Sequence, residues 1–132
     1  MTDSQNLAVV RPMYTPGTPA EMFKEIIASD AVWDVSPGFL GIGGIHHGFD
    51  NVMEALSRAA QNFEAPLQAE AEAFYEDGDS HVIATGTYNG VAKGTGNPVR
   101  VRFTHIWTVR GGQIARLRQT VDSLVLDQAL RG

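Results

Sequence analysis

One segment near the end of the chain constrains the fold more than any other. Residues Val99 to Asp122 alternate between apolar and polar side chains on both sides of a Gly111-Gly112 pair. Such a pair supplies the positive φ angles of a two-residue turn, so the segment predicts an antiparallel hairpin. In the first strand, alternation places His105 on the same face as Phe103 and Trp107. His105 is therefore the one ionisable residue in an otherwise apolar row.

Regular pairing from the turn onward predicts which residues of the second strand share the face of His105. They are Arg116, Arg118, Thr120 and Asp122, with Arg118 directly opposite the histidine. The predicted face is a mixed wall of apolar and ionisable side chains. A plain core would not need the charged residues, and a plain surface would not carry the aromatic ones. The pattern therefore indicates the wall of a pocket.

The composition is that of one globular domain spanning residues 1–132. Of the 132 residues, 43% are hydrophobic and 19% are charged, and the formal net charge is -5. Without a cluster of Lys or Arg, neither nucleic acid nor an anionic membrane is an expected partner. The lack of cysteine excludes thiol and disulfide chemistry, and no segment approaches the length of a membrane span. We expect a soluble, cytoplasmic protein.

The remaining sequence predicts helices first and antiparallel strands later. Helices are expected at residues 4–14, at 18–29 with Thr18 as the N-cap, at 50–64 with Asp50 as the N-cap, and at 123–130. Strands are expected at 31–35, from Pro66 to an Asp77-Gly78-Asp79 turn, and at 80–90. This order indicates an α+β fold, in which helices pack on one side of a curved, mostly antiparallel sheet and enclose an apolar pocket.

The segment 36–48 has no regular pattern. It holds five glycines and one proline in thirteen residues, which is typical of a functional or mobile loop. His46 and His47 lie here, but adjacent residues of an extended segment point in opposite directions, and no third ligand follows at a usable spacing. The glycines also lack the pattern of a phosphate-binding loop. The sequence therefore predicts neither a metal site nor a bound cofactor.

Four segments together resemble the NTF2-like superfamily, and in particular its SnoaL-like branch. They are Asp30-Ala31-Val32-Trp33 after a helix, a glycine just before the Asp50 helix, the Asp77-Gly78-Asp79 turn, and the hairpin HIWTVRGGQIARLRQTVD. The resemblance implies a cone of helices inside a strongly bent sheet and, as in many members, a dimer formed through the outer sheet face. It does not imply one activity, because members include ketosteroid isomerases, polyketide cyclases, epoxide hydrolases, dehydratases and non-catalytic binding proteins.

The resemblance extends to individual positions. His105 lies where the isomerases hold a protonated aspartic acid in the oxyanion hole, and Asp122 is similar to the acid/base aspartate of the SnoaL-like cyclases. The general base of the isomerases aligns with Val35 rather than with Asp34, so this chain departs from their pattern. The epoxide hydrolases of the family use an Arg-Asp pair and a second aspartate, which here would be Arg118, Asp122 and Asp34.

The catalytic candidates are Asp122 and His105 as an acid/base pair, with Arg118 beside them to bind a developing oxyanion. Two simpler roles stay open: His105 as a buried hydrogen-bonding residue, and Asp122 as the N-cap of the last helix. Arg116 is expected at the solvent rim. One cavity lined by both His105 and Asp122 would favour an enzyme, whereas an Asp122 that only caps the helix would favour binding or a structural role.

Substrate-binding residues are expected among the aromatic residues Tyr14, Trp33, Trp107, Tyr88 and Phe63. The sequence thus predicts a protein that binds a small apolar molecule bearing a carbonyl or hydroxyl group, with isomerase or cyclase chemistry if a proton is moved. A non-catalytic binding or dimeric scaffold module is one alternative, and water activation as in an epoxide hydrolase is another.

A homodimer is a separate expectation. Regular pairing places Ile106, Leu117 and Val121 among threonines on the opposite face of the hairpin. Such a mixture of apolar and polar side chains suits contact between two sheets.

Overall fold

Six strands form one curved sheet in the computed structural model, which describes residues 4–65 and 67–132. The strands are β1 (Ile27–Val35), β2 (Gly44–His47), β3 (Gln68–Asp77), β4 (His81–Val91), β5 (Pro98–Arg110) and β6 (Gln113–Val121). The order across the sheet is β2-β1-β6-β5-β4-β3, and every neighbouring pair is antiparallel except β1 with β6. The predicted α+β architecture is confirmed.

The helices are α1 (Gln5–Val10), α2 (Ala20–Ile26), α3 (Phe49–Ala60) and α4 (Ser123–Arg131). A 3-10 turn, Arg11–Tyr14, follows α1 directly, because Pro12 has no N–H with which to continue the α-helical pattern. Val52, Ala55 and Ala59 form the buried side of α3 and join the core that covers one face of the sheet. Across residues 4–65 and 67–132, no helix is long and apolar enough to cross a membrane.

The predicted cap of α2 is wrong. The hydroxyl of Thr18 contacts the carbonyl oxygens of Pro12 and Thr15, at 2.9 and 2.8 Å, so it closes the preceding turn instead of capping the helix. β1 also starts earlier than the predicted residue 31. Its first residue, Ile27, is buried and pairs with Ile114 of β6, and this tertiary contact extends the strand.

The glycine-rich segment contains a short strand that its sequence pattern does not predict. β2 pairs antiparallel with β1, so only residues 36–43 remain as a loop. Gly48 follows with a φ of 88° and occupies the N-cap position of α3. Asp50 is therefore not the cap. It lies in the first turn, where its negative charge interacts favourably with the helix dipole.

Alternation is predicted for both strands after α3, with Ala69, Ala71 and Ala73 on one face of β3. The prediction is wrong for Ala73, because Glu72 bulges out between Ala71 and Ala73 and turns Ala73 to the opposite face. β3 begins at Gln68, and Pro66, the predicted start, lies outside the described residues. Val82, Ala84 and Tyr88 of β4 are buried on one face, as expected.

One extra residue in β6 changes the register of the hairpin. The turn forms at Gly111-Gly112 as predicted, with φ angles of 61° and 78°. The pairing shifts by one residue beyond Ile114, because Ala115 bulges out between the partners of Val109 and Thr108. Such a β-bulge places two residues of one strand opposite one residue of the other.

The bulge exchanges the two faces of β6. His105 pairs with Gln119 rather than with Arg118. The buried residues of the strand include Leu117, Gln119 and Val121, and the exposed ones are Arg116, Arg118 and Thr120. The predicted wall of ionisable residues is therefore wrong, and so is the predicted outer position of the two apolar residues. Side chains alternate along a strand, so the register that buries the apolar side chains and exposes the arginines is the more stable one.

Candidate functional site

A cavity of about 300 Å³ lies between the buried face of the sheet, α3 and the loop 36–43. Aromatic and aliphatic side chains form most of its described lining. The five residues predicted to bind the substrate all contribute to it: Tyr14, Trp33, Phe63, Tyr88 and Trp107. None of the described lining residues is Asp, Glu, Lys or Arg, so the cavity differs from the charged wall that regular pairing predicts.

His105 is the centre of the polar part of this cavity. It lies in the middle of β5 and only 4% of its surface is exposed. The Tyr14 hydroxyl lies 2.6 Å from its Nδ1 atom, and the Tyr88 hydroxyl lies 2.6 Å from its Nε2 atom. The ring of Phe103 stacks on the imidazole with centroids 4.0 Å apart. Both ring nitrogens are therefore hydrogen bonded inside an aromatic enclosure.

Two further side chains extend these bonds into a chain. Trp107 donates from Nε1 to the Tyr14 hydroxyl oxygen over 2.7 Å, and Gln119 donates from Nε2 to the Tyr88 hydroxyl oxygen over 2.7 Å. We refer to Trp107–Tyr14–His105–Tyr88–Gln119 as the hydrogen-bond chain. Its five members all line the cavity, and among the other described lining residues only Trp33 has a side-chain N–H or O–H group.

Local sequence explains how these rings fit together. On β4, the small residues Ala84 and Gly86 pair directly with His105 and Phe103, which leaves room for the ring of Tyr88 from the same strand to pack against both stacked rings. Tyr14 comes from the 3-10 turn after α1, and its ring makes an edge contact with Phe74 of β3 at 5.5 Å between centroids. The turn thus brings a residue that is distant in sequence onto the centre of β5.

Burial keeps the hydrogen-bond chain uncharged. Burial lowers the pKa of His105 from its ordinary 6.5 to about 3, because an apolar enclosure disfavours the imidazolium. Burial also raises the pKa of Tyr14 and of Tyr88 well above the ordinary value, although the hydrogen bonds from Trp107 and Gln119 oppose the shift. At neutral pH the three groups can donate and accept hydrogen bonds, but none carries a charge.

The loop 36–43 closes one side of the cavity with Phe39, Leu40 and Ile42. The Nε2 atom of His46 lies 2.6 Å from the carbonyl oxygen of Ile42, so the N–H of this histidine holds the loop against β2. The backbone N–H of Ser36 donates to Oε1 of Gln119 over 3.3 Å and connects the loop to the hydrogen-bond chain. Among the described residues, no group of three or more His, Asp or Glu side chains is arranged to hold a metal ion.

The structure does not bring the other predicted catalytic residues to the cavity. Arg118 is exposed on the outer sheet face, and Asp34 shares that face, where it pairs with Arg116 over 3.3 Å. Asp122 follows β6 and caps α4, because its carboxylate accepts a hydrogen bond from the Val125 N–H over 3.2 Å. The prediction that Asp122 faces the pocket is wrong, and its simpler role as a helix cap is confirmed. The three residues of the epoxide hydrolase pattern therefore do not converge inside the cavity.

Gln119 is the functional candidate that regular pairing missed. The sequence contains a signal for it, because the apolar residues Leu117 and Val121 lie two positions before and after Gln119. Regular pairing would leave both of them exposed to solvent. A bulge before Leu117 would have moved all three residues inward and both neighbouring arginines outward. Regular pairing instead places the charged side chains in the site.

The low pKa of His105 predicts a loss of stability in acid. The unfolded chain binds a proton at the ordinary pKa of about 6.5, whereas the folded chain does so only near 3. At pH values between these two pKa values, the unfolded state binds a proton at His105 and the folded state does not. The free energy of unfolding should therefore fall by about 1.4 kcal/mol per pH unit on this account as the pH drops from about 6 to about 4. Urea unfolding of the protein across this range measures the slope.

The matched variant is His105→Asn, which cannot titrate, so the difference between the two slopes isolates the histidine from the carboxylates. Imidazole NMR signals give an independent readout, because the folded wild type should show no titration of His105 between about pH 7 and about pH 4.5. A midpoint near 6.5 in the folded protein would contradict the prediction.

Comparison with known proteins places this architecture in a family. A model of the SnoaL-like domain matches residues 10–117. No curated protein matches the sequence. Among solved structures, TerC co-crystallized with polyporic acid is 22% identical with a TM-score of 0.86, and the match covers 98% of this chain and 100% of that one.

Two further structures share the fold. An NTF2-like protein of unknown function from Burkholderia pseudomallei K96243 is 21% identical with a TM-score of 0.84, over 98% of this chain and 100% of that one. A protein named as a SnoaL-like polyketide cyclase from Jannaschia sp. CCS1 is 17% identical with a TM-score of 0.79, over 98% and 96%. The resemblance predicted from the sequence is confirmed: the chain belongs to the family of SnoaL-like domains.

Proposed function

We propose that this protein binds a small, mostly apolar molecule that carries at least one hydrogen-bonding oxygen. The observation that carries the proposal is the distribution of polarity in the cavity. Its described lining holds no formal charge, and all but one of its side chains with N–H or O–H groups belong to the hydrogen-bond chain. An apolar body would fill the aromatic part, and an oxygen would meet Tyr14 or Tyr88. Pockets of this kind, apolar with a few convergent polar groups, are the usual form of small-molecule sites.

The similar solved structures support an apolar, oxygen-bearing ligand, but they do not identify the ligand of this protein. The most similar of the three structures described above was crystallised with polyporic acid, and another is named as a polyketide cyclase. At 22% and 17% identity these names belong to those proteins. Both names agree with a cavity suited to carbon rings and oxygen atoms. The proposal rests on the lining of the cavity.

A bicyclic ketone tests the proposal directly. 1-Indanone has about ten non-hydrogen atoms, so a ligand efficiency near 0.5 kcal/mol per atom predicts a Kd on the order of 0.1–1 mM. Titration calorimetry measures the Kd. Ala59→Phe should weaken binding at least about tenfold, because Ala59 is buried in α3 and lines the cavity, and a phenyl ring would occupy the space.

The matched control is Arg118→Leu, which lies one residue from Gln119 in β6 but on the outer face. We expect its Kd to equal that of the wild type within about twofold. The proposed function would be contradicted if Arg118→Leu weakened binding as much as Ala59→Phe does. It would also be contradicted if the wild type bound neither 1-indanone nor indane at their solubility limits.

Proton transfer is a second candidate function, and one observation favours it. A neutral tyrosine hydroxyl beside a bound ketone would stabilise an enolate oxygen, as hydrogen-bond donors do in an oxyanion hole. The missing part is a base. His105, with a pKa of about 3, is a poor proton acceptor at neutral pH, and no described carboxylate lines the cavity. We therefore place binding without chemistry first.

Deuterium exchange at the α-carbon of 1-indanone separates the two functions. Binding alone predicts that the protein leaves the exchange rate in D₂O within about twofold of buffer, because no base reaches the α-proton. Proton NMR of the ketone measures the rate. Saturable acceleration that disappears in Tyr14→Phe and Tyr88→Phe would establish proton transfer in place of binding alone.

We also propose that two copies associate through the outer sheet face. A row of paired residues crosses this face from Tyr75 through Ile83 and Ile106 to Arg118. Tyr75 is 57% exposed, and both isoleucines are partly exposed. A row that is apolar over three strands and charged at its end suits an interface with a hydrophobic centre and a polar rim.

Sedimentation equilibrium tests the dimer. The wild type should sediment as a dimer at micromolar concentration, and Ile106→Glu should be monomeric, because it buries a carboxylate in the centre of the interface. Lys93→Glu, in the turn between β4 and β5, is an exposed charge change away from this row and should remain dimeric. A monomeric wild type would rule the interface out.

A further inference from the structure

The hydrogen-bond chain has a direction at both ends. The indole nitrogen of Trp107 can only donate, so the Tyr14 oxygen accepts from it. At the other end, Oε1 of Gln119 accepts from the backbone N–H of Ser36, which fixes the orientation of the amide. The Nε2 side of the amide must then face Tyr88 and donate to it. Each tyrosine oxygen is therefore already an acceptor before His105 is considered.

Tyr14, His105 and Tyr88 together carry three hydrogens on oxygen or on ring nitrogen. The two hydrogen bonds that join these residues use only two of them. A neutral imidazole carries one N–H and one bare nitrogen, and each tyrosine carries one O–H. If Nδ1 of His105 is protonated, it donates to Tyr14, Tyr88 donates to Nε2, and the Tyr14 hydrogen has no use in the chain. If Nε2 is protonated, it donates to Tyr88, Tyr14 donates to Nδ1, and the Tyr88 hydrogen is left over.

No Asp, Glu, Lys or Arg among the described lining residues offsets this count. The side chains that hydrogen bond to the imidazole ring or pack against it are Tyr14, Tyr88, Phe103 and Trp107. On the neighbouring strands His105 pairs with Ala84 and Gln119. Within the described residues, neither tyrosine hydroxyl has a hydrogen-bond partner outside the chain. The surplus hydrogen is therefore free to meet a molecule in the cavity that both tyrosines line.

We infer that this surplus hydroxyl hydrogen is the recognition group of the cavity, so that the site selects an acceptor oxygen over a donor and the bound ligand sets the tautomer of His105. The inference deepens the proposed function and rests on it. The ligand class narrows from any oxygen-bearing molecule to one that presents a carbonyl or a similar acceptor on an apolar body. His105 acts as a positioning residue, because the position of its single N–H is coupled to which tyrosine donates to the ligand.

The preference for an acceptor follows from the cost of unpaired groups. A buried O–H without an acceptor loses its full solvation, whereas a phenolic oxygen that already accepts one hydrogen bond loses little when its second lone pair is empty. Gln119 adds to the surplus, since its amide nitrogen carries a second hydrogen for which the described residues offer no acceptor. A ligand that brings another donor would find too many hydrogens and few free acceptors.

Three bicyclic probes of nearly equal shape test the preference. 1-Indanone presents an acceptor, indole presents a donor, and indane presents neither. We expect 1-indanone to bind about tenfold more tightly than indane, and indole to bind no more tightly than indane. Calorimetry gives the three Kd values. If all three bind equally, or indole binds most tightly, the inference is overturned while the proposed function stands. If neither 1-indanone nor indane binds, the proposed function fails.

The tautomer supplies an independent readout. With 1-indanone bound, the ¹⁵N shifts of His105 should show one protonated and one bare ring nitrogen, and that assignment should identify the contacting tyrosine. Protonated Nδ1 predicts that Tyr14→Phe abolishes the preference for 1-indanone over indane and that Tyr88→Phe retains it. Protonated Nε2 predicts the reverse. The double variant should bind both probes with equal Kd values. An imidazolium, an averaged pair of nitrogens or a mismatch between tautomer and variant would overturn the inference.

Discussion

The burial of one neutral histidine is the constraint on which the rest of the site depends. An imidazole in an apolar enclosure is stable only when both ring nitrogens have partners, because an unpaired polar atom there loses its hydration. Two tyrosines, one from the turn after α1 and one from β4, hydrogen bond to His105. Trp107 of β5 and Gln119 of β6 in turn donate hydrogen bonds to these tyrosines. A single residue therefore connects an N-terminal turn with three adjacent strands of the sheet. Through Gln119 it also reaches the loop 36–43.

The bulge at Ala115 separates the charges from this site. It turns Arg116 and Arg118 to the outer face, where Arg116 forms a partly exposed ion pair with Asp34. Such a pair contributes little to stability, but its position leaves the interior free of full charges. Hydrogen bonds inside the cavity are correspondingly stronger than in water, and unpaired ones more costly. The same bulge thus sets both the polarity of the cavity and the character of the outer sheet face.

Membership of a family does not carry an activity with it in this protein. The fold matches SnoaL-like and NTF2-like structures closely, yet the aspartate that resembles the acid/base residue of the cyclases caps α4. Asp34, beside the position of the isomerase base, points away from the cavity. The fold supplies the cavity, and the side chains at a few positions determine its chemistry. Here those positions carry two tyrosines, a histidine and an amide.

The sequence by itself determined the architecture and the centre of the site. The Gly111-Gly112 turn, the apolar row around His105 and the alternation of β4 depend on contacts that are local or periodic, so they can be recognised in one dimension. The same holds for the five aromatic residues predicted to bind the substrate, and the helix cap was one of the two roles that the sequence left open for Asp122. Two other caps, the start of β1 and the strand β2 could not be recognised in this way, because their residues are chosen by partners elsewhere in the chain.

Only the tertiary structure decided which side chains surround His105. β6 can continue in register or bulge at Ala115, and the choice depends on which of its two faces packs better against the core. A shift of one residue moves every later side chain of the strand to the opposite face of the sheet. Tyr14 reaches Nδ1 from a distance of 91 residues, and no periodicity links the two. Local patterns specified the strand that carries the histidine, whereas long-range packing specified its hydrogen-bond partners, because those partners are selected by burial rather than by spacing.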